Sequence, residues 1–299
     1  MKRILLLTSL VLAMLLLSAC NTTPEGTGIS GAYIGGNSGV VSEFQPFGVK
    51  ENDAYSIFDT ETFSLEVTLK NKGEYKTKPG DVSIKILGPA HEEFSGISAW
   101  ELKNTADIDS ISTLLTSGGE ETISFATDAK YTPVVSGIVD RNLIINTEYY
   151  YETYALIPEV CLKEDLTDTR VCEVKEAKKY SVSGAPITVQ SVKEDLGGSA
   201  VMALEIKLKN IAGGRVTEPN TDFDENYDWL AFSFDDSGWE CKSSGKINEA
   251  RLVNGEAVII CKSATLAQDT LATKSLKLTL QYKYRDLVTG KLRVKQSNS

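Results

Sequence analysis

Histidine is nearly missing from this chain: 299 residues hold one, His91. That excludes histidine-rich metal sites and most imidazole-based acid–base chemistry. Positive charge is scarce as well. Against 41 Asp and Glu stand 31 Lys and Arg, a net charge of −10, or −12 for residues 20–299. Such a surface repels phosphate backbones, so nucleic acid is not an expected partner. No apolar run long enough to cross a bilayer as a helix follows the first twenty residues. The signatures of nucleophilic and nucleotide chemistry are missing too: no Gly-x-Ser-x-Gly elbow, no Walker loop, no Cys-x-x-Cys pair. Adjacent acids such as Glu92-Glu93 and Asp235-Asp236 would point to opposite faces of a strand. The chain is therefore expected to be non-enzymatic, with no catalytic residue and no cofactor.

What is present begins with an address. Lys2 and Arg3 precede an apolar stretch, Ile4 to Leu17, that would span about 21 Å as a helix. That is short of a bilayer core of about 30 Å, so it reads as a secretory signal over residues 1–19. Leu17-Ser18-Ala19-Cys20 closes it. Small residues before a cut and a thiol just after it resemble the lipobox of prokaryotic lipoproteins. The resemblance implies a diacylglycerol thioether on Cys20, cleavage before it, and membrane lipid as a partner. Residues 20–42, rich in Gly, Ser and Thr, read as a flexible tether. Within it Gly26-Thr27-Gly28-Ile29-Ser30-Gly31, with Glu51 about 20 residues on, matches a dinucleotide fingerprint. No strand precedes it, so the tether reading is preferred.

Beyond the tether, alternation of period two dominates. Phe63, Leu65, Val67 and Leu69 alternate with polar residues, as do Val82 to Ile86, Leu230 to Phe234 and Leu276 to Tyr284. Such runs put one face on a core and the other in water, so the fold class is all-β with antiparallel sheets. Turn signals such as Asn71-Lys72-Gly73, Pro79-Gly80-Asp81, Asn254-Gly255 and Thr289-Gly290 separate them. Thr105 to Leu115 is the one stretch with weak helical character.

A repeat is visible once these runs are aligned. Phe63-Ser-Leu-Glu-Val-Thr-Leu-Lys-Asn71 matches Met202-Ala-Leu-Glu-Ile-Lys-Leu-Lys-Asn210. Val82–Ile86 then answers to Leu230–Phe234, Thr122–Phe125 to Ala257–Ile260, and Tyr149–Tyr154 to Leu280–Tyr284. The expectation is one immunoglobulin-like sandwich used twice, over residues 43–184 and 185–299, placed end to end with a seam at Gly184-Ala185-Pro186. The strand and turn Leu65-Glu-Val-Thr-Leu-Lys-Asn-Lys-Gly73 resemble the opening strand of CARDB-type immunoglobulin-like domains in archaeal and bacterial surface proteins. The tyrosine-rich strand leading to Cys161, then Cys172, then Gly184-Ala-Pro-Ile-Thr-Val189, resembles tandem-domain archaeal surface lipoproteins. The resemblance spans roughly residues 60 to 290 and implies a fold and an extracytoplasmic setting. It carries no catalytic residues over.

Four cysteines remain after Cys20, and an even number in an exported chain implies disulfides. Of the three connectivities they allow, Cys161–Cys172 with Cys241–Cys261 is favoured, because each pair falls inside one repeat. Asp222, Asp224, Asn226 and Asp228 alternate oxygen ligands as a calcium loop would. An EF-hand would need glycine and glutamate where Tyr227 and Ser233 stand. A looser calcium site competes with the plainer reading, a solvated acidic loop, and the plainer reading is preferred. Tyr149, Tyr150, Tyr151 and Tyr154 could line a sugar- or peptide-binding face, but on a strand only alternate ones share a surface. Core and cross-strand packing is their expected role, and that of Trp100, Trp229 and Trp239. The expected function is a lipid-anchored, non-enzymatic cell-surface protein that presents its domains to a protein or envelope partner. The alternatives are a solute-binding lipoprotein of a transporter, which needs two α/β lobes, and a polysaccharide-active surface enzyme.

Overall fold

An extended backbone sends alternate residues to opposite faces, and the alternating runs of this chain all become strands. The computed structural model describes residues 31–297 apart from Leu166 and Thr169. Its first half holds β1 (Val40–Phe44), β2 (Val49–Glu51), β3 (Ala54–Phe58), β4 (Phe63–Asn71), β5 (Val82–Leu87), β6 (Phe94–Ser95), β7 (Glu101–Lys103), β8 (Glu120–Tyr131) and β9 (Ile138–Lys163). The second half holds β10 (Ser181–Val182), β11 (Ile187–Gly198), β12 (Val201–Asn210), β13 (Arg215–Thr217) and β14 (Asp228–Phe234). It ends with β15 (Trp239–Ser243), β16 (Lys246–Ile247), β17 (Glu249–Leu252), β18 (Glu256–Ser263) and β19 (Leu271–Lys295). One 3₁₀ turn, His91–Glu93, is the only helical element among the described residues. Thr105 to Leu115, expected as a weak helix, is a loop pinned by buried Ile108, whose backbone pairs with Thr77.

The strands form three sheets. A large sheet runs β17-β14-β19-β9-β5-β7, with β10, β13, β3 and β2 along its edges. Over one face of it lie two small sheets, β1-β4-β8-β6 and β11-β12-β18-β15-β16. Along β9 the odd residues from Leu143 to Ile157 are all buried, while their even neighbours are partly exposed. Both small sheets meet that odd face: Ser42 of β1 touches Thr147 Oγ1 at 2.8 Å, and Thr153 Oγ1 donates to the Ile187 carbonyl of β11 at 2.8 Å. The apolar residues between the sheets make one continuous core that spans both halves.

The halves are not set end to end. β9 and β19 pair as one antiparallel ribbon from Ile138↔Lys295 to Lys163↔Leu271. The start of β9 lies beside β5, and the end of β19 beside β3, in the first half. The end of β9 lies beside β10, and the start of β19 beside β14, in the second. Each long strand therefore serves both sandwiches, and the boundary at 184/185 divides the chain without dividing the sheet. The cause is length. At 26 and 25 residues these strands run several times the usual five or six. Thr289-Gly290, expected as a turn, is passed straight through. Gly290 pairs with Leu143, and the Phe44 ring occupies the place of its missing Cβ.

The repeat is real in topology. Asn71 ends β4 and Asn210 ends β12; β8 lies beside β4 as β18 lies beside β12. In the ribbon Tyr149 faces Tyr284 and Tyr151 faces Tyr282, so a pseudo-twofold axis passes through the Tyr150–Lys283 pair. One correspondence shifts by a residue. Val67 pairs with Ile123 and Ile206 with Ile259, so Ile123 answers to Ile259 rather than to Val258. Val258 points to solvent, the outcome a one-residue slip always has in a strand. The stretch expected as tether, residues 20–42, cannot reach that far: β1 already starts at Val40.

Candidate functional site

The cysteines are joined as Cys161–Cys172 and Cys241–Cys261. Cys241 and Cys261 face each other directly across β15 and β18. The expectation that each repeat holds its own bridge is corrected. The Cys161 end of β9 lies in the second half, where its N–H donates to Glu194 of β11 at 2.8 Å. Both bridges thus brace one half. Beside them sits a buried ionic cluster that no sequence pattern announces. Lys178 contacts Glu194 at 2.8 Å and Glu176 at 2.6 Å, and Glu194 has no exposed side-chain surface. Burial pushes the Glu194 carboxyl up from its ordinary value, against the opposing pull of Lys178. Lys163, also buried, donates to the carbonyls of Asp168 and Cys172 and so gathers the loop closed by the first bridge.

The tyrosines divide by parity, as expected for a strand. Tyr149 and Tyr151 are in the core; Tyr150 and Tyr154 stand on the outer face of the large sheet. There both hydroxyls donate to Glu152, at 2.5 and 2.7 Å, and Gln281 of β19 donates to it at 3.2 Å. Burial alone would raise the Glu152 carboxyl, but these three donors bring it below its ordinary value. Desolvation and the Glu152 charge hold both phenols well above the usual range. Lys277 lies over the Tyr154 ring at 4.1 Å, Tyr33 stacks near it, and Tyr75 meets Tyr150 edge-on. The patch is a self-contained network: its carboxylate stays ionised, its phenols stay protonated, and its rings already have partners.

The acidic loop after β13 is likewise spoken for. Asp228 accepts from Arg215 Nε at 2.8 Å, and the same guanidinium donates to the carbonyls of Glu225 and Asp224 at 3.1 and 3.0 Å. Asp224 accepts the N–H groups of Asn226 and Tyr227. Asp222 contributes its carbonyl to Thr217. Among the described residues no three His, Cys, Asp or Glu side chains come together as metal ligands. A guanidinium therefore takes the carbonyls a cation would use. The loop lines a groove of about 490 Å³ with Phe223, Trp229, Lys246 and Glu249. Its aromatic faces are covered from within, Trp229 by Lys246 at 4.1 Å and Phe223 by Arg285 at 4.0 Å.

The remaining sequence candidates disperse. Cys20 and most of the glycine fingerprint lie outside the described residues. Glu51 is paired with Lys295 and accepts from Ser56. Glu93 is bound by Arg141, while Asp235 accepts from the Lys277 N–H and Asp236 from Lys274. Trp239 is buried, Trp100 stacks on His91 against the core, and Trp229 faces outward. Sequence reasoning missed Glu74. Its carboxylate accepts the N–H groups of Ile34, Gly35 and Gly184, at 3.0, 2.9 and 2.7 Å, and so fastens the end of the tether to the seam. Only the exposed position of a glutamate after a turn could have hinted at it.

No protein-family model, curated protein or solved structure matches this chain.

Proposed function

We propose that this chain is a non-enzymatic, extracytoplasmic protein, anchored to the membrane by lipid on Cys20, that presents its paired sandwiches to another protein. The observation that carries the reading is the pair of disulfides, since such bridges persist in oxidising compartments outside the cytosol. The lipobox before Cys20 supplies the anchor and fits the same compartment. The Glu74 clamp adds a mechanical reason: it fixes where the tether leaves the body, so the body hangs from a defined point. The outer-face networks favour presentation over turnover, because their carboxylates and phenols are bound to one another and are not poised for proton transfer. A solute-binding lipoprotein would need helical lobes around a cleft, and the strand architecture offers neither.

The reading is tested in cells by replacing Cys20 with alanine. The parent chain is expected in the detergent phase of a Triton X-114 partition and the variant in the aqueous phase, with its precursor uncleaved at residue 20. A variant that keeps both its acyl label and its detergent partition overturns the anchor.

A further inference from the structure

In the second half further chain lies along both sides of the β11-β12-β18 strands. β15 lies along β18, pairing Trp239–Lys242 with Ser263–Ile260. The segment around Ala177 bonds to the outer edge of β11. In the first half the counterpart of β15 in chain order is β6; it pairs with β8 only at Lys130 and Tyr131, and Gly96 just after it lies against the Asp128 carbonyl and Ala129. By the ladders Ser124 answers to Ile260 and Ala126 to Cys261, with β8 bulged between them, so the stretch from Ser124 to Thr127 faces the place that β15 fills in the other half. No strand lies beside them among the described residues.

The direction of the backbone there follows from the ladder. Gln45 donates to the Glu66 carbonyl from the β1 side, so Glu66 turns its backbone polar groups away from β8. Residues opposite one another in an antiparallel ladder behave alike. Ser124, opposite Glu66, and Thr122, opposite Thr68, therefore turn their N–H and C=O groups away from β4 and onto the open edge. Both side chains are exposed, and no proline breaks the strand.

We infer that the β8 edge from Thr122 to Thr127 is the docking site for an extended segment of another protein, added antiparallel as the next strand and carrying basic side chains. This deepens the protein-presenting reading by naming its surface, and it rests on that reading for the existence of a partner. The form of the occupant comes from the molecule itself, since β15 shows what fills this place in the other half. Its charge comes from the flanks of that edge, where Glu120 and Asp128 stand exposed against Lys130 while Glu121 is held by Thr105 and Ala106, in a chain of net charge −10. A second copy is the poorer occupant. β6 and Gly96 block Asp128 to Tyr131, and full overlap of two 122–127 edges brings Glu121 of one copy against Asp128 of the other, a like-charge pair. Main-chain bonds supply the affinity in strand addition, and alternate side chains supply the choice of partner.

The probe is a phage-displayed library of random dodecapeptides, selected on the folded chain. Peptides alternating apolar with Lys or Arg residues are expected, and they should shift the amide resonances of Thr122 and Ser124. Ser124→Pro removes one outward donor without touching the β4 ladder, and is expected to weaken these peptides about tenfold. If that variant fails to fold, Glu120→Lys combined with Asp128→Lys keeps the backbone and should weaken the same peptides comparably. Failure to select any peptide, perturbation of resonances elsewhere, or unchanged affinity for the folded variants overturns the site. So does a concentration-dependent dimer in sedimentation that Ser124→Pro abolishes, because the occupant would then be a second copy. Detergent partition of the parent chain is unaffected by all of these outcomes, so failure of the edge is distinguishable from failure of the anchor.

Discussion

The two halves share a plan and differ in how it is finished. Each holds a strand ending in asparagine, β4 and β12, and each asparagine is held by a tyrosine from the ribbon. Asn71 Oδ1 accepts from Tyr151 and the Gly73 N–H, while its amide donates to the carbonyls of Tyr75 and Ile108. Asn210 Oδ1 accepts from Tyr284, and its amide donates to the Gly214 carbonyl. The second half adds two disulfides, the Lys178–Glu194 cover over β11, and the β15–β16 hairpin over β18. The first half has none of these and closes its clamp more tightly: Asn71 is fully buried, whereas Asn210 is partly exposed. What the plan requires is thus the ribbon and the asparagine clamp. The covalent and ionic additions protect sheet edges, and the half without them is the half with an edge to offer.

The largest test breaks the halves apart. Residues 185–299 alone would lose β9 and β10, leaving one side of β19 bare from Leu271 to Lys295. That fragment is expected to stay unfolded by amide dispersion in NMR, and to fold when residues 31–184 are added in trans. A dispersed spectrum of the fragment alone would show that the sandwiches are separable and that the ribbon is incidental.

The next test compares the clamps. Asn71→Ala leaves the Tyr151 hydroxyl, the Gly73 N–H and the Tyr75 carbonyl without their partner in a dry site. A loss of about 3 kcal/mol in urea unfolding is expected. Asn210→Ala should cost about half as much, because water reaches its partners. Equal losses would mean that burial does not distinguish the clamps and that the halves are energetically alike.

The strands were legible because alternation is a local signal. The repeat was legible because its first strand is nearly identical in pattern, and the disulfide partners because each pair is close in sequence. What stayed hidden depends on neighbours. Alternation in β9 says which residues point inward, but not that Leu143 belongs to one sandwich and Ile157 to the other. Gly290 reads as a turn until Phe44 is seen against it. The acidic loop reads as a cation site until Arg215, distant from its centre in sequence, is found at its carbonyls. Glu74 and Glu194 are ordinary glutamates in the sequence, made into a clamp and a buried cluster by segments well removed along the chain.

The smallest test concerns that buried cluster, the device by which the second half covers β11. Burial raises the Glu194 carboxyl above its ordinary value. The native chain therefore holds this proton at pH values where the unfolded chain has released it. By linkage, the contribution of Glu194 to stability falls as pH rises from the ordinary glutamate range through the raised folded value, and is flat above it. The Glu194→Gln variant has no titrating group at this position. Subtracting its stability from that of the parent isolates this slope from the many surface carboxylates, whose lowered values act in the opposite sense. The difference curve from urea unfolding is expected to decline across that window. Hydrogen exchange at Lys178 and Glu194 should stay slow in both chains, since their N–H groups keep their bonds to the Val192 and Glu176 carbonyls. A difference curve that rises with pH would place the Lys178 charge ahead of burial. The cover on β11 would then be an ion pair stabilised by its charges, and the contrast with the bare edge of the first half would be electrostatic in origin.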